Sequence, residues 1–351
     1  MIMPGTVGRA TRVIVGVLVI GILAVEGGLL ASHMGAVGSA LAQANLGFVA
    51  LALAFQVVSW LAFAALPRQM LSGGGLRVPL SRLISVLLVG NAFSASLPVG
   101  SAVASGYTFM RFRRLGASMP LAAWALVISG LISSATLGAL GVTAALVVGS
   151  NRTSSVAALV AVGITLTVAA ALRVATQHPE QLTRIARTFV RAVYRIRRRT
   201  PSLGLERVDA FVDQLVVIRP RGRDWLAGAG FAAVNWAADV GCFVLACRAA
   251  GITDLAPRTI VIAYAADAVV GAFQLIPGGI GLVEGALVLA LVGGGVPFAA
   301  ATAAVVIYRV ISLVLVTVVG WIVWLGQRDR PNVAPDPALR PANAATVMCD
   351  G

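Results

Sequence analysis

Four charged side chains stand where an apolar chain tolerates them least. Asp239, Asp267, Glu284 and Arg309 each fall inside or beside a long apolar run. An ionised group at membrane depth is costly, so it faces a protein interior and marks a substrate path, an ion path or an ion pair. Glu284 has the most distinctive surroundings, the stretch AFQLIPGGIGLVEGAL over 272–287. Pro277 breaks a helix, and Gly278, Gly279 and Gly281 permit an unwound backbone. Unwound backbone and a fresh helix N-terminus can bind an ion or a polar head group. A cap at that helix start is the competing role for Glu284. Arg309 is the natural counter-charge for one of the acids, and a structural pair accounts for it as well as a substrate site does. Asn235 lies one turn before Asp239 on the same face. Gln56, Asn91 and Gln274 are candidates to line a polar path, although hydrogen bonding between helices explains them more simply. Glu26 is read as facing neighbouring helices.

Catalysis has little to work with. His33 and His178 are the two histidines, and neither has a metal-ligand partner at useful spacing. No G-x-S-x-G or phosphate-binding loop occurs. Cys242, Cys247 and Cys349 form no metal or disulfide pattern, and the first two read as small buried hydrophobes. No enzyme activity, metal or cofactor is expected.

The elements that position these residues follow from composition. The chain has 351 residues, 59% hydrophobic and 11% charged, with a mean hydropathy of +0.93. A soluble domain carries about 25% charged residues. The expectation is an all-α polytopic membrane protein. Six stretches are long enough to cross, at 13–32, 46–66, 120–149, 155–173, 225–249 and 298–325. All 27 basic residues are arginine, against 13 acidic ones. They crowd the loops, so anionic lipid is the expected partner and nucleic acid is not. Arg9 and Arg12, then Arg68, Arg77 and Arg82, then Arg328 and Arg330, place both termini in the cytoplasm of a cell-membrane protein.

Two stretches do not fit as ordinary spans. Residues 83–110 are followed at once by Arg111, Arg113 and Arg114 and are broken at Pro98-Val99-Gly100. Residues 258–297 are broken at Pro277-Gly278-Gly279. Each reads as a re-entrant hairpin of two half-helices, entering from opposite faces. Such backbone is tolerated at membrane depth only under protein or water cover. Counted from the proline, glycines recur at offsets 2, 8 and 18 in both, at Gly100, Gly106 and Gly116 and at Gly279, Gly285 and Gly295. Each hairpin lies between two spans, the layout of an inverted repeat with its substrate site near the midplane. On this reading 1–326 is one integral membrane domain.

The insert 174–224 is cytoplasmic and basic. Over 182–198, Leu182, Ile185, Phe189, Val193 and Ile196 share one face, and Arg184, Arg187, Arg191, Arg195 and Arg198 the other. This predicts an interfacial helix, with a plain positive-inside anchor as the alternative. A second helix is expected over 204–218. The Pro- and Ala-rich tail 327–351 is expected to be disordered.

The chain resembles the flippase-like integral membrane family related to the transmembrane region of lysylphosphatidylglycerol synthase. The resemblance covers most of 46–326. It is carried by IPGGIGLVEG (276–285), then GVPFAAATAAVVIYRVIS, then Gly320. On that match Pro277, Gly278, Gly279, Gly281, Glu284 and Arg309 take the family's motif positions. The first hairpin is similar at Asn91, Pro98, Gly100 and the later Arg-Arg-x-Gly. Where the family carries Gly-Glu and an arginine after that proline, this chain has Ser101, Ala102 and Ser105. Relatives that make the modified lipid do so with a soluble aminoacyl-transferring domain; none is read here, so lysyl transfer is not expected.

The resemblance implies a flippase or scramblase for a lipid with a polar or anionic head group, such as a phospholipid, a glycolipid or a polyprenyl-linked sugar. Glu284, Arg309, Asp267, Asp239, Asn91, Pro98 and Gly100 are then the candidate substrate contacts. Arg111, Arg113, Arg114, Arg184, Arg187, Arg191 and Arg195 would gather head groups. The alternatives are an ion-coupled carrier of a small solute, an intramembrane enzyme using Asp239, Asp267 and Glu284, or a non-catalytic assembly partner. A homo-oligomer is compatible with all of these.

Overall fold

Helix length and helix breaks decide the architecture. The computed structural model describes residues 42–97, 99–148, 163, 221–272, 277–279 and 281–327, and every regular element among them is helical. The expected spans 13–32 and 155–173, the helices expected over 182–198 and 204–218, and the tail beyond Gln327 lie outside the described residues. So do Pro98, Gln274 and the arginines Arg184, Arg187, Arg191 and Arg195.

Four helices are long and apolar enough to cross a membrane. They are α1 (Leu46–Gly73), α4 (Met119–Val148), α5 (Gly222–Ala249) and α8 (Phe298–Gly326). Between α1 and α4 come α2 (Leu80–Ser96) and α3 (Gly100–Arg114). Between α5 and α8 come α6 (Pro257–Ala272), a 3-10 turn at Pro277–Gly279 and α7 (Leu282–Gly293). The order long, short, short, long thus occurs twice. At 1.5 Å per residue, the short helices reach only about 18 to 26 Å, less than a hydrocarbon core of about 30 Å.

The two short pairs are antiparallel hairpins. In the first, Phe93 meets Tyr107 edge-to-face at 5.2 Å, and Gly90 faces Ala104 and Thr108 across the seam. In the second, Gly294 at the end of α7 abuts Thr259 at the start of α6. The bounds are slightly wider than the sequence suggests for the first, and slightly narrower for the second. Glycine helix stops explain both ends. Gly116 and Gly295 take positive φ of 102° and 91°. The next residue's N–H then reaches back to a carbonyl five residues earlier, Ala117 to Phe112 and Val296 to Leu291.

Helices α1 and α5 hold the halves together. Each has 28 residues, and they run antiparallel along their whole length. At one end the Asn45 N–H donates to the Ala249 carbonyl at 3.1 Å. At the other, Gly228 faces Leu66 and Met70. At the midpoint of both, the Ser59 hydroxyl donates to Asn235 Oδ1 at 3.0 Å. That bond is how the structure uses Asn235.

Two apolar cores flank this seam. One gathers Leu66, Met70, Leu83, Phe112, Leu121 and Ile128 around the first hairpin. The other gathers Phe243, Cys247, Leu287, Leu291, Ile307 and Tyr308 around the second. Cys242 and Cys247 are buried free thiols, as expected from the sequence.

The halves also interlock. The second part of α8 packs on α2, and the Pro277–Gly279 turn packs on α2 as well. Gly320 allows the first of these contacts, since a Cβ there would lie 2.3 Å from the Leu88 carbonyl oxygen. Arginine distribution separates the two ends of the bundle. Arg68, Arg77, Arg82, Arg111, Arg113, Arg114, Arg221 and Arg223 sit at the end formed by the α1–α2 and α3–α4 turns and the start of α5, while Arg248 and Arg258 sit at the other.

Candidate functional site

The second hairpin turns where its sequence requires. Gly278, Gly279 and Gly281 take φ of 65°, 66° and 84°, a left-handed run that other residues would resist. The chain then enters α7 with Glu284 in its first turn. One carboxylate oxygen, Oε2, accepts from the Gly281 N–H at 2.6 Å. The other, Oε1, accepts from Arg309 Nε at 2.6 Å. Arg309 Nη2 also donates to the Gly278 carbonyl at 2.7 Å. Glu284 is therefore both the helix cap and the ion-pair partner, and both structural roles named for it are present together. Arg309 reaches in from α8 and clamps the glycine turn. Immediately after it, Val310–Val314 form a π-helical turn, a local widening often found at functional sites.

A second polar knot lies around Asp239 on α5. Its Oδ2 accepts from the Tyr264 hydroxyl of α6 at 2.7 Å and from the Tyr308 hydroxyl of α8 at 2.9 Å. With its amide oriented to satisfy both neighbours, Gln56 of α1 donates to Asp239 Oδ1 at 3.2 Å and accepts from Trp60 Nε1 at 3.3 Å. Four helices thus meet on one carboxylate. Asp267, half-buried on α6, has no side-chain hydrogen bond among the described residues. It lies within electrostatic reach of Asp239, Arg309 and Glu284. The four charged residues singled out in the sequence are therefore one neighbourhood, beside the broken turn.

The first hairpin contributes differently. Gly100 is pressed on the end of α2, where a Cβ would lie 2.4 Å from the Phe93 carbonyl oxygen. Asn91 is half-buried on α2 and makes no side-chain hydrogen bond among the described residues. Arg111, Arg113 and Arg114 make different contacts. Arg113 Nη1 turns back to the Ala117 carbonyl at 2.9 Å. Arg111 Nη2 donates to Gln327 Oε1 at 2.7 Å and stacks over Tyr107 at 5.8 Å. Arg111 and Arg114 line a cavity of about 290 Å³ with Tyr107, Met110, Trp324 and Gln327.

The residues that sequence reasoning missed are Tyr264 and Tyr308. The available signal was spacing. Tyr264 precedes Asp267 by three, one helical turn on the same face, and Tyr308 directly precedes Arg309. Among the described residues no group of acids, cysteines or histidines could hold a metal ion.

The family model for the lysylphosphatidylglycerol synthase TM region matches residues 12–320. No curated protein matches the chain.

Proposed function

The chain belongs to the lysylphosphatidylglycerol synthase transmembrane-region family, a membrane family tied to lipid handling, and we propose that it translocates a lipid with a polar or anionic head group. The observation that carries this reading is the Glu284–Arg309–Gly278 clamp beside Asp239 and Asp267. Polar groups so placed give a head group somewhere to go at membrane depth, while the acyl chains stay in the bilayer. Two opposed hairpins, re-entrant from the two faces of the cell membrane, would shelter the path. The pairing of α1 with α5 through Ser59 and Asn235, and the twice-repeated order of helices, support an inverted repeat.

The arginine-rich end is assigned to the cytoplasm, which the excess of arginine there supports. Arg111 and Arg114, in the cavity that Tyr107 and Trp324 share, would collect head groups on that side. Anionic lipids are the proposed partners, and the chain is read as a transporter with no enzymatic step.

Sealed proteoliposomes test this. Head-labelled anionic and zwitterionic lipids are followed with an impermeant quencher, with and without protein. Translocation predicts fast quenching of label that is protected in protein-free vesicles. Protected label across several lipid classes removes the proposal and points to solute uptake or a new lipid product.

A further inference from the structure

A second cationic site lies apart from the hairpins. The end of α1 and the start of α5 enclose an open hollow of about 570 Å³, lined by Gln69, Ser72, Arg77, Arg221, Arg223 and Asp224 among others. It shares no residue with the cavity of Arg111 and Arg114. The one acid in it is already occupied. Asp224 Oδ1 accepts from Gln69 Nε2 at 2.9 Å, and Oδ2 accepts from the Arg221 N–H at 2.8 Å. Arg223 Nε stays 3.9 Å from that carboxylate, with its side chain 75% exposed. Arg77, Arg221 and Arg223 are exposed, and Arg77 and the Arg221 side chain hydrogen-bond to none of the described residues. Three guanidinium groups against one carboxylate leave the hollow with an excess of positive charge. Guanidinium forks match phosphate oxygens in geometry as well as sign.

Its surroundings select a lipid rather than a soluble anion. Trp225, next to Asp224, meets Trp124 of α4 edge-to-face at 6.3 Å, and tryptophan is enriched at the head-group level of a bilayer. Leu226, next in sequence to the lining residue Ala227, and Met119, at the start of α4, are 76% and 54% exposed and offer apolar surface on α5 and α4. We infer that this hollow is a docking site for the phosphate of an anionic phospholipid, whose acyl chains lie along the outer faces of α4 and α5. The site does not depend on the translocation reading, so either can fail alone.

The test uses the full chain in zwitterionic detergent micelles. Unfolding temperature and retained lipid, the latter by native mass spectrometry, are followed as phosphatidylglycerol is added. Wild type is compared with R77Q/R221Q/R223Q and with R248Q/R258Q, which removes two exposed arginines from the opposite end of the bundle. The expected result is a lipid-dependent rise whose half-saturation moves about tenfold higher in the triple variant only, since charge-assisted contacts to phosphate are lost. R77K/R221K/R223K is expected to recover part of it. A triple variant that titrates like wild type overturns the site. So does an equal response to phosphatidylcholine. An equal response to inorganic phosphate or glycerol phosphate assigns the hollow to a soluble anion and overturns the lipid assignment. If the triple variant does not fold, R77Q/R223Q replaces it, because it leaves Arg221 at the cap position of α5 unchanged. Loss of the lipid response with intact translocation supports the site as separate from the transport path.

Discussion

The two hairpins follow the same chain path but are held by different forces. The first is closed by shape. Gly100 presses on the end of α2, and Val99 takes a left-handed conformation at φ 56°. Aromatic rings brace it, with Phe93 against Tyr107, Trp321 and Trp324 at 5.2 to 5.9 Å. Trp321 Nε1 donates to Ser96 at 3.1 Å. No charged residue occurs between Leu83 and Met110. The second is closed by charge, through Arg309, Glu284 and the Gly278 carbonyl. One architecture used twice thus yields one mostly apolar tip and one polar tip. Duplicated geometry does not require duplicated chemistry, and the polar half is where the head group is proposed to pass.

The comparison is broken most severely at Arg309. Its side chain and that of Glu284 are 14% and 29% exposed, so little screening offsets the loss of the pair. Arg309→Ala strands a carboxylate and a carbonyl, and is expected to cost about 3 kcal/mol. Thermal unfolding of that variant, of Glu284→Gln and of the double variant gives the coupling, which should be at least about 1 kcal/mol. Strictly additive losses would remove the clamp from the account.

Asp239→Asn comes next. It weakens the hydroxyl bonds from Tyr264 and Tyr308, and about 2 kcal/mol is expected. Tyr308→Phe should cost less, because the other donors remain. A larger loss from the phenylalanine variant would show that Asp239 is not the centre of the knot.

The first hairpin should answer to volume instead. Gly100→Ala is expected to cost about 2 kcal/mol by overpacking against the Phe93 and Ser94 carbonyls. Charge-neutral substitutions at the second tip have no counterpart there. The smallest effect is at Val99. Val99→Gly relieves a β-branched residue from the left-handed region and should raise the unfolding temperature by about 2 °C. A lower temperature would mean that the tip's conformation is supported by contacts of the valine itself.

Much of this was legible in the sequence because glycine and proline act locally. The breaks at Val99–Gly100 and Pro277–Gly279 are where the pattern put them, whereas Gly116 and Gly295 stood out only as a matching offset and the fold makes them helix stops. The end of α1 was harder. The expected span ended at 66, yet the helix runs through Pro67 and continues to Gly73. A proline forfeits one hydrogen bond, and packing of Met70 and Leu71 in the first core supplies an offset. The partners of Asp239 are 25 and 69 residues away, at Tyr264 and Tyr308. Local periodicity carries no information about such pairings. The hollow of Arg77, Arg221 and Arg223 joins residues about 150 apart, and loop arginines alone look like positive-inside anchors. Asp267 was visible as a charge in an apolar arm, but its place beside Arg309 comes from the fold.

The most direct test of the central claim is the translocation rate of Glu284→Gln in sealed proteoliposomes, beside wild type and Val99→Gly at equal protein per vesicle. The account predicts a rate at least about tenfold lower for Glu284→Gln, in line with the loss of one charge-assisted contact on the path, and a near wild-type rate for Val99→Gly. Equal rates for Glu284→Gln and wild type would contradict it and move the head-group path away from the second hairpin.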